Sequence, residues 1–214
     1  MREFYSVKIR PKTFDRALPI RLPVSMNSPM HEGEAFKAIC TWISGQFSDV
    51  TVIIADTLQA HNVGGDRRIA FAMGTDWLGR NQDSLAVIQG TKITRWDDWL
   101  QHPDFCCNLS RVNHLYDTDD FFRSTIDGGV HRYLGNFASG PMKQKLERAS
   151  KSLLLEEAAA IMCDPRKALE FYPGTVPALT AIKDYTRIKL IRMDILKENI
   201  GQAYTIKQSS SNAA

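Results

Sequence analysis

The chain has 214 residues, of which 43% are hydrophobic and 24% charged, with a net charge of +3 and a pI of about 8.7. That balance fits a single globular domain and excludes a disordered or collagen-like polymer, while the mild basicity is compatible with a polyanionic partner without arguing for one. No apolar run approaches membrane-spanning length, the charged start MREFYSVKIRPK lacks a secretory apolar stretch, and four cysteines, two of them adjacent (Cys106 and Cys107), read as reduced thiols in a cytoplasm.

Residues 1–18 are an N-terminal extension. Residues 20–24 (IRLPV) predict a short strand, followed by a polar turn over 25–29 (SMNSP). Residues 32–47 carry Phe36, Ile39, Cys40, Ile43 and Phe47 at the spacing of an amphipathic helix. Residues 50–55 (VTVIIA) form a continuous β-branched run ending at Asp56, as a buried parallel strand does. Strand, turn, helix and strand make a βαβ unit. Its right-handed crossover puts the turn holding Ser25 at the carboxyl edge of the sheet, where ligands bind in open α/β sheets.

Further along, residues 69–78 predict a helix, 85–94 contain a strand, and 96–100 and 119–134 predict helices. The last of these has Phe122, Ile126, Val130 and Tyr133 on one stripe. The loop GNFASGP at 135–141 precedes a long helix over 143–162, which Asp164 and Pro165 end. Residues 186–193 and 203–207 are the final predicted strands, and 208–214 form a small, polar, flexible tail. The fold class is α/β.

Ser25 follows a hydrophobic strand, so its hydroxyl can enter the edge crevice, with backbone N–H groups of the turn as oxyanion donors. The alternative is that Ser25 or Ser28 caps the following helix. No G-x-S-x-G elbow surrounds it and no His/Asp partner is assignable, which argues against a hydrolase triad. Glu156 and Glu157 interrupt an apolar helix (LLLEEAAAIM), so at least one carboxylate faces the interior or a pocket. There it needs a partner, either the α-ammonium of a bound amino acid or an internal salt bridge.

His31-Glu-Gly-Glu34 stands where class I aminoacyl-tRNA synthetases carry His-x-Gly-His, but its glutamates would repel ATP phosphates. No lysine-rich signature, Walker loop or G-x-G-x-x-G follows, so no ATP use is expected. His102, Cys106, Cys107 and His114 lack the Cys-x₂-Cys spacing of a zinc site and read as core thiols, so no metal cofactor is expected. Arg187, Lys189, Arg192, Lys143 and Lys145 either contact phosphates or are solvated surface.

Four segments, taken in order, resemble the cyclodipeptide synthase family over residues 19–204 or so. They are the turn Val24-Ser25-Met26-Asn27-Ser28 with the following helix (Trp42, Phe47) and strand end (Ala55-Asp56-Thr57); the stretch WDDWLQHPDF at 96–105; the helix LLLEEAAA at 153–160 running into Asp164-Pro165; and Tyr172-Pro173 with Pro177, then Gly201-Gln-Ala-Tyr204. The resemblance implies a Rossmann-like parallel sheet flanked by helices, similar to the catalytic domain of class I aminoacyl-tRNA synthetases, without ATP chemistry.

It also implies site roles. Ser25 is the nucleophile. Glu157, with Glu156 as second choice, holds the substrate amino group. Tyr172 is the catalytic and proton-relay tyrosine, and its Tyr-Pro setting places the chain outside the Tyr-His branch. Asn136 supports the amine, Asn27 belongs to the turn, and Leu153 stands where the family has a tyrosine. Ile53, Ala55 and Ala160 line the aminoacyl pocket. Arg67, Arg68 and Arg80 are the sparse counterpart of an arginine-rich helix that contacts tRNA. Arg21 shares a strand face with Ser25. It either reaches the first pocket and favours an acidic or polar amino acid, or lies under solvent or binds tRNA.

The function so implied is tRNA-dependent synthesis of a cyclic dipeptide (a 2,5-diketopiperazine) from two aminoacyl-tRNAs, by a ping-pong route through an aminoacyl-serine. No cofactor is needed and the protein is cytoplasmic. Its partners are the two aminoacyl-tRNAs and tailoring enzymes acting on the product, with no membrane. The alternatives are another aminoacyl-tRNA-dependent aminoacyltransferase, or a noncatalytic tRNA-binding module of the same fold.

Overall fold

Six strands build one sheet: β1 (Phe4–Arg10), β2 (Ile20–Val24), β3 (Val50–Ile54), β4 (Lys92–Arg95), β5 (Leu169–Pro173) and β6 (Lys189–Glu198). The computed structural model describes residues 4–135, 140–163, 168–174 and 176–198. The strand order is β1-β6-β5-β2-β3-β4, parallel except for the antiparallel pair β1–β6. The central strands β2 and β3 are buried along their whole length, which is why both read as continuous apolar runs apart from Arg21 and Thr51. After β3 and β4 the chain crosses back to add β5 on the other side of β2, so the strand order reverses between β2 and β5. Such a switch point opens a crevice at the carboxyl ends of the two strands.

Helices α1 (Gly33–Ser44) and α2 (Arg67–Leu85) are followed by α3 (Trp96–Leu100), α4 (Phe105–Thr118), α5 (Asp120–Leu134), α6 (Pro141–Ile161) and α7 (Pro177–Ala181). The period-two alternation of the strands sorts them into two layers. Val52, Ile54 and Phe171 pack with Phe36 and Ile39 of α1 and Trp77 of α2, whereas Ile53 and Ala55 pack with Trp96, Phe122, Ile126 and Ala158 from α3, α5 and α6. Asp66 and Asp119 start α2 and α5 by accepting hydrogen bonds from first-turn N–H groups.

The α/β reading holds, with several local corrections. The N-terminal extension contains β1, whose weak alternation gave no strand signal. Residues 85–94 split, because Leu85 ends α2 and only Lys92–Arg95 is strand. Helix α4 carries too narrow an apolar stripe to signal itself in the sequence, since only Phe105 and Val112 of it are buried. Cys106 and Cys107 lie beside that narrow stripe and are exposed rather than core, while Cys40 and Cys163 are buried. The Tyr-Pro motif ends a strand, β5, and β6 begins at Lys189 rather than at 186. The strand expected over 203–207, the tail 208–214, Asp164-Pro165 and Asn136 lie outside the described residues. Among the described residues no helix is long and apolar enough to cross a membrane.

Candidate active site

Strand β2 ends at Val24, and the next residues turn sharply: Ser28 N–H donates to the Ser25 carbonyl (3.1 Å) and His31 N–H to the Ser28 carbonyl (2.9 Å). The turn folds the His31 ring back on its own start, so that Ser25 N–H donates to His31 Nδ1 at 2.9 Å. His31 is fully buried, and burial lowers its pKa to about 4, so the ring is neutral and carries its proton on Nε2. Trp77 Nε1 donates to the His31 carbonyl at 2.8 Å and fixes the backbone from the α2 side. The Ser25 amide is thereby engaged, so it is not the oxyanion donor expected of this turn. Neither serine caps α1 either: Glu32 occupies the N-cap, and Ser28 makes no side-chain capping bond.

Ser25 opens onto two adjoining cavities at the switch point. The larger, about 350 Å³, is lined by Ser25, Asn27, Gln59, Leu153 and Tyr172, with α5 on its far side. The smaller, about 170 Å³, brings Ser25, Tyr172 and Glu157 together with Ala55 and Leu153. Residues 153 and 157 are one helical turn apart on α6 and present one face to both strands. Tyr172 projects from β5 and its ring meets the His31 ring edge-on at 5.4 Å.

The electrostatics of this small cavity set its protonation. Burial, followed by the nearby Glu170 charge, pushes Glu157 up to about 8. Burial, followed by Glu157, pushes Tyr172 up to about 12. At neutral pH Tyr172 is therefore a phenol able to donate, and Glu157 titrates close to the range of an α-amino group.

Glu156 is occupied elsewhere. It accepts from Trp96 Nε1 at 2.8 Å and pairs with His61 Nε2 at 2.9 Å, which ties α6 to α3 and to the segment after β3. Of the two adjacent carboxylates, 157 is the one that reaches the Ser25 cavity.

Glu157 and Pro23 also line a separate small crevice with Arg21, Ile53, Trp99, Ala160 and Glu170, among others. Arg21 and Glu170 are register partners on β2 and β5, and Arg21 Nη2 donates to Glu170 Oε2 at 2.7 Å. Both side chains are almost wholly buried. The Arg21 guanidinium also lies 5.2 Å from the centre of the Trp99 ring. Arg21 thus neither lies under solvent nor is placed to meet tRNA, and its charge is already matched inside the protein.

The remaining expected residues divide. Asn27 is exposed at the cavity rim, 3.5 Å from Gln59 Oε1. Arg67 is tied to Asp97 and Arg80 to Glu32, whereas the side chain of Arg68 is almost fully exposed. Among the described residues no three His, Cys, Asp or Glu side chains converge to hold a metal ion. His31, Gln59 and Glu170 are site residues that sequence reasoning missed. Gln59 and Glu170 are identified by partners far off in sequence, and His31 by Ser25, six residues before it.

No protein-family model and no curated protein sequence matches the chain. Solved structures do match its fold. A cyclodipeptide synthase from Fluoribacter dumoffii superposes with a TM-score of 0.82 at 22% identity, covering 92% of this chain and 100% of that one. A cyclodipeptide synthase from Bacillus thermoamylovorans gives 0.65 at 14% identity, covering 92% and 97%. A Mycobacterium tuberculosis protein, described as demonstrating that cyclodipeptide synthetases are related to type I tRNA synthetases, gives 0.61 at 12% identity, covering 90% and 94%. At these identities the likeness is one of fold.

Proposed function

We propose that the chain is a tRNA-dependent cyclodipeptide synthase of the Tyr-Pro type, which joins the aminoacyl groups of two aminoacyl-tRNAs into a 2,5-diketopiperazine. The observation that carries the proposal is the meeting of Ser25, Glu157 and Tyr172 in one cavity at the switch point, on a fold shared nearly end to end with the F. dumoffii synthase.

In the proposed route Ser25 Oγ attacks the ester carbonyl of the first aminoacyl-tRNA. Its proton passes to the departing ribose oxygen, and an aminoacyl ester is left on Ser25. The ester is already activated, so no ATP is required. Glu157 holds the α-amino group. Because both groups titrate near 8, the proton moves between them at little cost, and the amine is released as a nucleophile. That amine attacks the ester of the second aminoacyl-tRNA, whose ribose oxygen leaves with a proton, giving a dipeptidyl ester on Ser25. The opposite direction, with the second substrate's amine attacking the Ser25 ester, would free Ser25 and leave the dipeptide on tRNA. Finally the dipeptide's terminal amine attacks the Ser25 ester, closes the six-membered ring and returns the proton to Ser25. Tyr172, neutral at working pH, donates a hydrogen bond to the oxyanion of each step.

Mass spectrometry of culture medium and purified protein, after expression in a bacterium that supplies aminoacyl-tRNAs, tests the proposal. A cyclic dipeptide and an acyl adduct on Ser25, both absent in Ser25→Ala, are expected. A folded wild-type protein that yields neither would sink it, and would leave the tRNA-binding module.

A further inference from the structure

In the sheet β2 lies between β5 and β3. Ser25, just past β2, therefore has Tyr172 of β5 on one side and the short 3₁₀ turn Thr57–His61, which follows β3, on the other. Gln59 of that turn lines both cavities that Ser25 and Tyr172 share, yet the residue is only 7% exposed. Burying a carboxamide is costly unless its hydrogen bonds are made. Here only one end is partnered. Asn62 Nδ2 donates to Gln59 Oε1 at 2.8 Å, and Asn27 Nδ2, within the Ser25 turn, approaches the same oxygen at 3.5 Å. The two N–H groups on Nε2 have no acceptor among the described residues. Oxygen and nitrogen stand at opposite ends of a planar group. Holding Oε1 against Asn62 and Asn27 thus turns Nε2 away from them, toward the cavity that the residue lines.

The reaction calls for a donor at that place. As Ser25 Oγ bonds to the ester carbon, the carbonyl π pair moves onto oxygen, and it returns when the ribose oxygen leaves with the serine's proton. The charge on that oxygen is stabilised by donors fixed in advance, which keep their own protons throughout. Ser25 N–H is already engaged by His31 Nδ1 and cannot serve. Tyr172 gives one hydrogen bond from the β5 side. Gln59 Nε2, held by its own acceptor end, gives a second from the β3 side.

We propose that Gln59 is a catalytic residue whose Nε2 donates to the oxyanion formed at Ser25, opposite Tyr172, and that Asn62 is the positioning residue that fixes which end of the carboxamide faces the reaction. The proposal rests on the synthase reading above.

Steady-state kinetics of the full chain test this, with the aminoacyl-tRNAs that the wild-type product identifies. Gln59→Met keeps the length of the side chain without its N–H groups. It should lower kcat by about 10²-fold with KM little changed, the scale of losing one oxyanion donor. A folded Gln59→Met with wild-type kcat, or one that changes KM alone, would overturn the inference while leaving the synthase standing. Two changes at Asn62 test the orientation separately. In Asn62→Asp the carboxylate accepts from Gln59 Nε2, turns the carboxamide over and presents Oε1 to the oxyanion, so kcat should fall by about 10²-fold. Asn62→Ala leaves the carboxamide free to present either end and should cost only about 10-fold. A merely structural role predicts the reverse order, because Asp keeps the shape of Asn and Ala does not. Equal or reversed losses would overturn the inference, and they decide it if Gln59→Met does not fold. Absence of any cyclic dipeptide and of any Ser25 adduct in the wild type would remove the synthase reading and this one with it.

Discussion

The His31 imidazole holds the backbone of the residue six positions before it: Ser25 N–H donates to His31 Nδ1 at 2.9 Å, inside a fully buried, neutral ring. The hydroxyl of Ser25 is aimed by this bond, because the amide it fixes belongs to the same residue. Changing His31→Leu should lower kcat by about 10- to 100-fold with KM little changed, since small displacements of a reacting group cost on that order. His31→Asn, whose side-chain oxygen can stand in for Nδ1, should recover part of the loss. Steady-state kinetics with aminoacyl-tRNA read the result, and equal losses in both variants would argue against positioning.

The neighbours Glu156 and Glu157 should respond oppositely. Glu156→Gln weakens the bonds to Trp96 and His61, so the melting temperature should fall by a few degrees, roughly 1 kcal/mol, with product still formed. Glu157→Gln should abolish product by about 10²-fold or more, because an amide cannot take the proton of the substrate amine. Product yield and thermal melts, measured side by side, separate the two.

Glu157 also predicts a pH dependence of stability. In the folded chain it keeps its proton up to about pH 8, whereas an unfolded glutamate loses it near ~4.3. Between those values the native state binds the extra proton, so this contribution falls as pH rises and is lost above 8. Glu157→Gln removes it. The melting temperature of the variant relative to wild type should therefore climb from pH 5 to about 8 and level off above it, and a gap that stays constant would contradict the assignment.

Gly74 lies on α2 against the buried Asp56. A Cβ there would sit 2.5 Å from Asp56 Cβ and 2.8 Å from Arg95 Nη2, and Arg95 is in turn bonded through Nε to Asp56 at 2.6 Å. Gly74→Ala should cost about 1–3 kcal/mol as overpacking, despite its better helix propensity. Chemical denaturation measures it, and a stabilised variant would mean that the Asp56–Arg95 pair yields.

Much of this site could be read in the sequence wherever chemistry followed a local pattern. Ser25 sits at the end of an apolar run, and Glu157 interrupts an apolar helix. Ser25 opens the polar turn that ends its run, and Glu157, with Glu156, is a charge where the neighbours are apolar. The choice between Glu156 and Glu157 could not be made the same way, because both interrupt that helix. It is decided by Trp96 and His61, which approach from other elements. Glu170 was invisible for a stronger reason. Its meaning depends on Arg21, 149 residues earlier, and on the parallel register that sets the two side by side. The site's sharpest chemical feature is thus carried by a pairing that no window of sequence contains.

The antiparallel pairing of β1 with β6 bears on how the chain is made. Val7 meets Ile195, and Tyr5 meets Lys197, so β1 leaves a ribosome long before the strand that pairs with it. At about 5–20 residues per second, β1 waits tens of seconds with its hydrogen-bonding edge unsatisfied. Closing so long a loop is then a late and entropically slow event. Nascent chains stalled before β6 should accordingly leave β1 open to proteases and holdase chaperones, while the βαβ unit around Ser25 already has its strands in hand.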